Sequence, residues 1–361
     1  MKMSYNVIDL FSGVGGLSYG FSNIDNFNIL AANEIEKDIS IAYSLNHPNV
    51  KMINKDINNL TAELLENTIN EKKVDVIIGG PPCQSYSTLG KREMDDRANL
   101  FLQYKRILKI LQPEAFVFEN VVGILSMKKG NLFQKIKKEF EELNYDLKYE
   151  ILNSADFGVP QIRERLFLVG FKDKNNFKYP FPTHGNNLIP HVTLEEALSD
   201  LPKLKSGESK NYYLKKPDND FLKFVRFHSD NILTEHSSPK NNERLIKIME
   251  TLKDGESKDD LPEEIRPKSG YKNTYAKLWW KKPSTTITRN FACPSSSRCI
   301  HPRDSRAMSI REGARLQSFP DNYKFYGSNT IKRLQIGNAV PPLLSIAIAK
   351  QLLKALNERK K

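Results

Sequence analysis

Short apolar runs and amphipathic stretches alternate along the first 172 residues of the chain. Residues 62–73, 99–111 and 132–143 repeat apolar positions at the spacing of a helix. Six other runs have the length and the β-branched, aromatic-rich composition of buried parallel strands: YNVIDLF, FNILAANE, VKMINKDI, VDVIIGG, AFVFENV and RLFLVGF. This alternation predicts the α/β class, with a doubly wound sheet.

The pattern changes after the sixth run. Residues 173–280 are rich in Lys, Asn, Asp, Ser and Pro and contain one clear helical pattern, at 241–252. Residues 341–356 are again amphipathic, with prolines at the start and basic residues beyond the end, as in a helix that packs on the flank of the sheet. The predicted domains are a large one, from residues 1–180 and 328–361, and a smaller irregular one, from residues 181–327.

The composition favours a folded cytoplasmic protein. Of 361 residues, 39 % are apolar, and the mean hydropathy is −0.52. No apolar run approaches the ~20 residues that span a bilayer, and the N-terminus leads almost directly into a strand without a signal peptide. Cys83, Cys293 and Cys299 are an odd number without the spacing of a disulfide framework, so we expect reduced thiols.

Positive charge accumulates towards the C-terminus. The formal net charge is +12, and residues 265–333 alone hold 15 basic and 3 acidic side chains. Aromatic residues are interleaved with these cations, namely Tyr271, Tyr275, Trp279, Trp280 and Phe291. Such a segment suits a polyanion such as nucleic acid, although a merely solvated basic face has the same counts.

A glycine-rich turn follows the first predicted strand. Gly13, Gly15 and Gly16 can present backbone N–H groups at the start of the next helix, and the turn lacks the Gly-Lys-Ser/Thr ending of a P-loop. Glu34 ends the second strand, 21 residues after Gly13, and Asp56 ends the third. A glycine turn with carboxylates at neighbouring strand ends favours an adenosine-containing ligand over a purely structural turn.

Reactive side chains follow the next strands. In GGPPCQSYS, two prolines hold Cys83 just beyond a buried strand, and Glu119 closes the strand AFVFENV. The period of two places Gln161, Arg163 and Arg165 on one face of QIRERLFLVG. Alone, Cys83 could be an inert buried thiol and Glu119 half of a structural ion pair. Because ligands bind beyond the carboxyl ends of parallel strands, we expect Cys83 and Glu119 to face one crevice with the glycine turn.

These segments resemble the ordered motifs of the DNA (cytosine-5)-methyltransferases of prokaryotic restriction-modification type. The matching segments, in the family's order, are DLFSGVGG, GGPPCQSYS, FENVVG, QIRERLFLVG, REGARLQSFPD and QIGNAVPP. They cover the chain except for about residues 173–283. The resemblance implies a Rossmann-like methyltransferase sheet that uses S-adenosylmethionine, together with a smaller, irregular target-recognition domain.

The resemblance also implies catalytic roles. Cys83 would add to C6 of a cytosine that has been rotated out of double-stranded DNA, which makes C5 nucleophilic. Glu119 would hydrogen-bond N3 and the exocyclic amine of the base. Arg165 would contact the base O2, and Arg163 would support the nucleophile and its loop electrostatically.

For the methyl donor, the resemblance implies that Phe11 packs on the adenine, Glu34 takes the ribose hydroxyls and Asp56 the adenine edge. Segments from both ends of the chain would contribute. The full cofactor-binding set is Phe11, Gly13, Gly15, Gly16, Glu34, Asp56, Ile57, Pro82, Leu100, Asn338 and Val340.

Other features concern DNA and partners. Residues 84–97 are long and polar and contain Gly90, as expected of a lid that closes over DNA, although a plain surface loop has the same composition. The region that varies in the family would read the DNA sequence. We expect a monomer, with a cognate restriction endonuclease as a possible partner. Cys293, Cys299 and His301 lack a zinc-binding spacing, so we predict no metal.

Three other functions compete with this interpretation. A tRNA cytosine-5 methyltransferase of the same family would carry a Cys-Phe-Thr tripeptide, which this sequence lacks. A nucleotide-binding dehydrogenase is suggested by the fold alone and leaves Cys83, Glu119 and the basic C-terminal half unexplained. A DNA-binding protein without catalysis would not need Cys83, Glu119 and Arg165 together.

Overall fold

A computed structural model describes residues 4–82, 100–174, 176–268 and 273–359. The chain divides into two compact units. The first unit comprises Met1–Asn153, Glu164–Phe181 and Leu344–Lys361, and the second comprises Ser154–Arg163 and Pro182–Leu343. This division differs from the predicted domains chiefly at residues 154–163 and 328–343, which group with the second unit. The assignment of DNA reading to residues 181–327 stays a prediction.

The first unit contains a seven-stranded sheet in the order β3-β2-β1-β4-β5-β7-β6. Its strands are β1 Tyr5–Leu10, β2 Phe27–Asn33, β3 Lys51–Ile53, β4 Val76–Gly79, β5 Ala115–Val121, β6 Tyr145–Asn153 and β7 Glu164–Lys172. The five strands from β3 to β5 are parallel, and the chain winds outward in both directions from the β1–β4 pair. The predicted α/β class with a doubly wound sheet is confirmed.

Two features of the sheet differ from the prediction. The run RLFLVGF, predicted as a parallel strand, is β7 and pairs antiparallel with both β5 and β6. Only ten residues connect β6 to β7, too few for the helical crossover that a parallel pair needs. Strand β6 was not predicted, because it is an edge strand with the mixed sequence YDLKYEILN and several exposed positions.

Helices cover the sheet because their apolar stripes need a partner surface. The helices of the first unit are α1 Gly16–Ser22, α2 Lys37–Asn46, α3 Ala62–Ile69, α4 Leu100–Leu111 and α5 Asn131–Glu141, with most of α11 Pro342–Glu358. Helix α11 contacts α1 so closely that a Cβ on Gly20 would overlap the backbone of Ser345. Residues Leu344–Lys361 thus group with the first unit, while the predicted completion of that domain by residues 328–361 stays a prediction.

The second unit is irregular, as the polar, proline-rich sequence predicts. Its elements are α6 Leu194–Leu198, α7 Asp220–Val225, α8 Glu243–Thr251, α9 Ile310–Leu316, α10 Asn329–Asn338 and the two-stranded sheet of β8 Ala276–Lys277 and β9 Arg298–Ile300. Of these, α8 matches the predicted helical pattern at 241–252. The short helices α6 and α7 start at side-chain caps, Thr193 and Asn219, that each accept a backbone N–H.

Buried ion pairs organise the second unit around α9. Arg315 binds Asp200 and, at 2.6 Å, Asp321. Arg306 binds Asp304 at 2.8 Å and Glu312 at 2.7 Å. All these side chains are almost fully buried, so each guanidinium needs its carboxylates for the fold to tolerate it. Burial alone would raise the pKa of Glu312, but the adjacent Arg306 lowers it below its usual value.

One stretch of the described residues, Asn329–Glu358, is long and apolar enough to cross a membrane by length and composition. In its most apolar window, 56 % is buried inside the protein. The core helix of a water-soluble protein gives the same signal, so this stretch is weak evidence for a membrane span.

Candidate active site

The glycine turn after β1 has the left-handed backbone that its sequence suggests. Phe11, Gly13 and Gly15 have φ values of 56°, 55° and 94°. A left-handed conformation at a bulky residue such as Phe11 is costly and typical of functional turns. A Cβ on Gly13 would meet no atom of the described residues within 4 Å. The turn therefore presents open space beside Gly13, where a ligand could approach the backbone.

Glu34, at the end of β2, is tied to this turn. Its Oε2 accepts the N–H of Gly13 at 3.0 Å, and its Oε1 accepts the N–H of Glu36 at 2.9 Å. Burial raises the pKa of Glu34 above its usual value, and these two N–H groups partly offset the rise. Each carboxylate oxygen can still accept another hydrogen bond, so Glu34 retains the capacity to bind hydroxyls.

Amide side chains that the sequence analysis missed hold the neighbouring strand ends. The Nδ2 of Asn33 donates to the carbonyls of Ile53 and Lys55, and the Nδ2 of Asn54 donates to the carbonyl of Glu34. These bonds join the ends of β2 and β3. Their sequence signal is only that asparagine sits where a strand becomes a loop, a common position for this residue.

Asp56 lies just beyond β3 and begins the 3-10 helix Ile57–Asn59. Its Oδ1 accepts the backbone N–H of Asn58 at 2.8 Å and the Nδ2 of the same residue at 2.9 Å. Within the described part of the chain, no hydrogen bond to Oδ2 is present. The carboxylate is thus oriented through one oxygen, while the other can accept a bond from a ligand.

Glu119 and Arg165 form an ion pair in the first unit. The Nε of Arg165 lies 3.1 Å from Oε1 of Glu119, and the side chains are only 14 % and 12 % exposed. They meet because β5 and β7 pair with Arg165 in register with Val121. A Cβ on Gly80 would lie 2.7 Å from Oε2 of Glu119, so a larger residue at position 80 would require the Glu119 carboxylate to move. A base held here would meet one carboxylate and one guanidinium.

Asn120 connects Glu119 to the loop that carries the predicted nucleophile. Its Nδ2 donates to the carbonyl of Pro81 at 2.9 Å, and its side chain is buried. Pro81 precedes Cys83 by two positions, and Pro82, predicted to line the cofactor pocket, is exposed. Cys83 and the predicted lid at 84–97 lie outside the described residues.

The remaining predicted residues divide between the units. Leu100 begins α4 and packs against the apolar core of the first unit. Asn338 and Val340 belong to the second unit, where Asn338 is exposed and Val340 is buried. Arg163 is buried there and donates to the carbonyls of Ile287, Gly337 and Ala339. Arg163 therefore binds the backbone on both sides of Asn338. Its electrostatic support of the nucleophile stays a prediction.

The sequence matches the family of C-5 cytosine-specific DNA methylases over residues 5–354. The chain belongs to this family. The Type II methyltransferase M1.HphI of Haemophilus parahaemolyticus is 36 % identical over 356 residues, which are 98 % of this chain and 87 % of that protein. The Type II methyltransferase M.DdeI of Desulfomicrobium norvegicum is 39 % identical over 375 residues, and the alignment covers 96 % of this chain and 88 % of that protein.

Solved structures agree with the family at the level of the fold. A protein of an Escherichia coli prophage, described as a DNA modification methyltransferase, has a TM-score of 0.81 and 28 % identity, with 98 % of this chain and all of that one covered. The Dnmt2 methyltransferase of Schizosaccharomyces pombe, at 20 % identity and a TM-score of 0.58, shares the fold over 97 % of this chain and 99 % of its own. The protein is an enzyme, a DNA cytosine-5 methyltransferase, and the family implies S-adenosylmethionine as methyl donor.

One buried carboxyl group of this methylase was not singled out from the sequence. Asp9, on β1, accepts the hydroxyl of Ser18 at 2.6 Å, and that hydroxyl lies 2.8 Å from the hydroxyl of Tyr43. Its Oδ1 has no hydrogen-bond partner among the described residues. Burial raises the pKa of Asp9 to about 8, against the opposing effect of Ser18. Asp9 therefore carries a proton at neutral pH.

The structure also refines the charge count of this methylase. All three acidic residues of 265–333 are buried partners of Arg306 and Arg315, so they do not neutralise the exposed cations of the segment. Cys299 and His301 are buried, and burial raises the pKa of Cys299 to about 12. The described residues contain no cluster of three or more potential metal ligands.

Proposed function

We propose that this methylase modifies C5 of a cytosine in a specific double-stranded DNA sequence through a covalent bond between Cys83 and C6. The observation that carries the proposal is the Glu119–Arg165 ion pair, at 3.1 Å, beside a loop that Asn120 holds two residues before Cys83. Two neighbouring strands thereby supply a carboxylate and a cation beside the loop that leads to a thiol. This arrangement suits addition to an electron-poor ring.

In the proposed mechanism, the target base leaves the duplex at a cost of a few kcal/mol for unstacking and binds against Glu119 and Arg165. Addition of the Cys83 thiolate to C6 places negative charge on the ring. Glu119 hydrogen-bonds N3 and the exocyclic amine and favours protonation of N3, which neutralises that charge as it forms. Arg165 donates a hydrogen bond to O2 and stabilises the charge there. After C5 is methylated, loss of its proton and departure of the thiolate restore the aromatic ring.

The residues at the strand ends fit S-adenosylmethionine, which supplies the electrophilic methyl group when bound. The open space beside Gly13 allows close approach of a ligand to the backbone. Glu34 retains lone pairs for the ribose hydroxyls, and Asp56 offers its Oδ2 to the adenine amine. Phe11 would pack on the adenine ring. Leu100 would line the same pocket.

The second unit is proposed to bind and read DNA. Its exposed cations include Lys282, Arg289 and Arg303, and the guanidinium of Arg303 lies 4.5 Å from the ring centre of Trp280. Trp279 has Arg298 over its ring at 4.2 Å. Cations that stack on aromatic rings are typical of nucleic-acid-binding surfaces. Each cation that binds a phosphate releases counterions from the duplex, which favours binding. The relatives are named Type II methyltransferases, which supports a restriction-modification role, and in that role a cognate restriction endonuclease would be the partner.

A duplex that carries 5-fluorocytosine at the target tests the proposal. Fluorine cannot leave C5 as a cation, so the enzyme should remain bonded to the base and migrate as a denaturation-resistant complex. We expect peptide mapping to place the bond at Cys83 and S-adenosylmethionine to be required for full yield. Attachment at Cys293 or Cys299, or none on a verified site, contradicts the proposal. Preference for fluorinated RNA would favour the tRNA enzyme instead.

A further inference from the structure

A single guanidinium on α4 holds the loop that carries Asp56 and Ile57. The Nη1 of Arg106 donates to the carbonyl of Leu60 at 2.6 Å, and its Nη2 donates to the carbonyl of Ile57 at 2.7 Å. The Nε of Arg106 donates to Oε1 of Gln103, one turn earlier on α4, at 2.7 Å. The guanidinium is therefore fixed in its plane by three hydrogen bonds.

These contacts complete a turn that Asp56 begins. The 3-10 helix Ile57–Asn59 is only three residues long, so its own backbone bonds stabilise it weakly. Asp56 caps its N-terminus, and Arg106 binds the carbonyl of its first residue, Ile57, and that of Leu60, the residue that follows its last turn. The side chains of Ile57 and Leu60 are buried in the core. The hydrogen bonds from Asp56 and Arg106 and the burial of the Ile57 and Leu60 side chains therefore fix the conformation of the turn.

We propose that Arg106 is a positioning residue for the methyl donor: it keeps the Asp56–Leu60 turn in the conformation that presents Asp56 to the adenine. This inference rests on the cofactor pocket proposed above. Arginine suits the role because its planar fork donates to two carbonyls at once, whereas a lysine is a single point donor. Arg106 itself need not touch the ligand.

The neighbouring Lys105 supplies a matched control. It lies on the same helix and is also partly buried, but its ammonium pairs with Glu139 and Glu142 on and beside α5. Arg106→Met and Lys105→Met each remove one cation and keep an unbranched apolar stem. Only the first removes the donors to the Asp56–Leu60 turn.

Calorimetry with S-adenosylmethionine, on the full-length protein, gives the main readout. If the turn is correctly placed in about a tenth of Arg106→Met molecules, the apparent Kd rises about tenfold. Lys105→Met should stay within about twofold of wild type, and Arg106→Lys should fall between them. In steady-state assays of Arg106→Met, KM for the methyl donor should rise, while kcat at saturating donor and KM for DNA should stay near the wild-type values. A general loss of structural order would change all three constants.

A double-mutant cycle with Asp56→Ala tests whether Arg106 acts through the turn. If it does, the affinity loss in Asp56→Ala/Arg106→Met is smaller than the product of the two single losses. Unchanged affinity in both Arg106→Met and Arg106→Lys, fully multiplicative losses, or an equal loss in Lys105→Met overturns the inference. If Arg106→Met does not fold, Arg106→Lys carries the same cycle. Normal binding by Asp56→Ala instead contradicts the pocket assignment, and this inference falls with it.

Discussion

The proton on Asp9 makes the stability of the first unit depend on pH, and Asp9→Asn should remove that dependence. The pKa of this carboxyl is raised from 3.8 to about 8, chiefly by burial. Below pH 4 the folded and unfolded states both hold the proton. Between the two pKa values only the folded state holds it, so stability falls as pH rises and levels off above the folded pKa.

The expected size follows from the two pKa values. Each pH unit between them costs the wild type about 1.4 kcal/mol, so stability falls by about 2.5 kcal/mol from pH 5.5 to pH 7.5 through this one group. Asparagine has the shape of the protonated carboxyl and no charge to lose. The stability of Asp9→Asn relative to wild type should therefore rise by about 2.5 kcal/mol over the same range.

Urea unfolding of both proteins at several pH values measures this difference, because effects of all other titrating groups cancel. Carboxyl NMR of labelled aspartate should place the Asp9 midpoint at about 8. In Ser18→Ala the midpoint should move higher still, since the Ser18 hydroxyl lowers the pKa. Unfolding curves whose difference is the same at pH 5.5 and pH 7.5 would refute the reasoning.

Further predictions concern catalysis and binding. Cys83→Ser should abolish methylation and keep DNA binding, because an alcohol ionises far less than a thiol; methyl transfer above about a hundredth of the wild-type rate argues against the nucleophile assignment. Asn120→Asp should slow covalent complex formation with the fluorinated duplex, because a carboxylate repels the Pro81 carbonyl. An unchanged rate would show that Asn120 does not position the loop before Cys83. In calorimetry, Asn338→Ala should weaken binding of the methyl donor more than binding of DNA. Exchange of residues 183–283 for those of a relative should change the methylated sequence in bisulfite sequencing, and a preference that stays with the first domain contradicts this division.

Local sequence was sufficient for the features that depend on neighbouring residues. The alternation of strand and helix patterns predicted the sheet class, and the glycine spacing predicted the turn after β1. Gly13 and Gly15 adopt positive φ because glycine tolerates that region, a property of the residue itself. The position of Glu119 at a strand end was also readable, because a carboxylate that closes an apolar strand stands out from its neighbours.

Tertiary structure decided the features that join distant residues. Arg106 binds carbonyls 46 and 49 positions earlier, and Arg163 binds carbonyls more than a hundred positions later. Arg306 and Arg315 count as surface cations in the sequence but are buried against carboxylates. The direction of β7 likewise depended on its partners. Local periodicity shows which face of a helix or strand is apolar. The partner of a buried polar group depends on which distant segments the fold brings next to it, and only the tertiary structure contains that information.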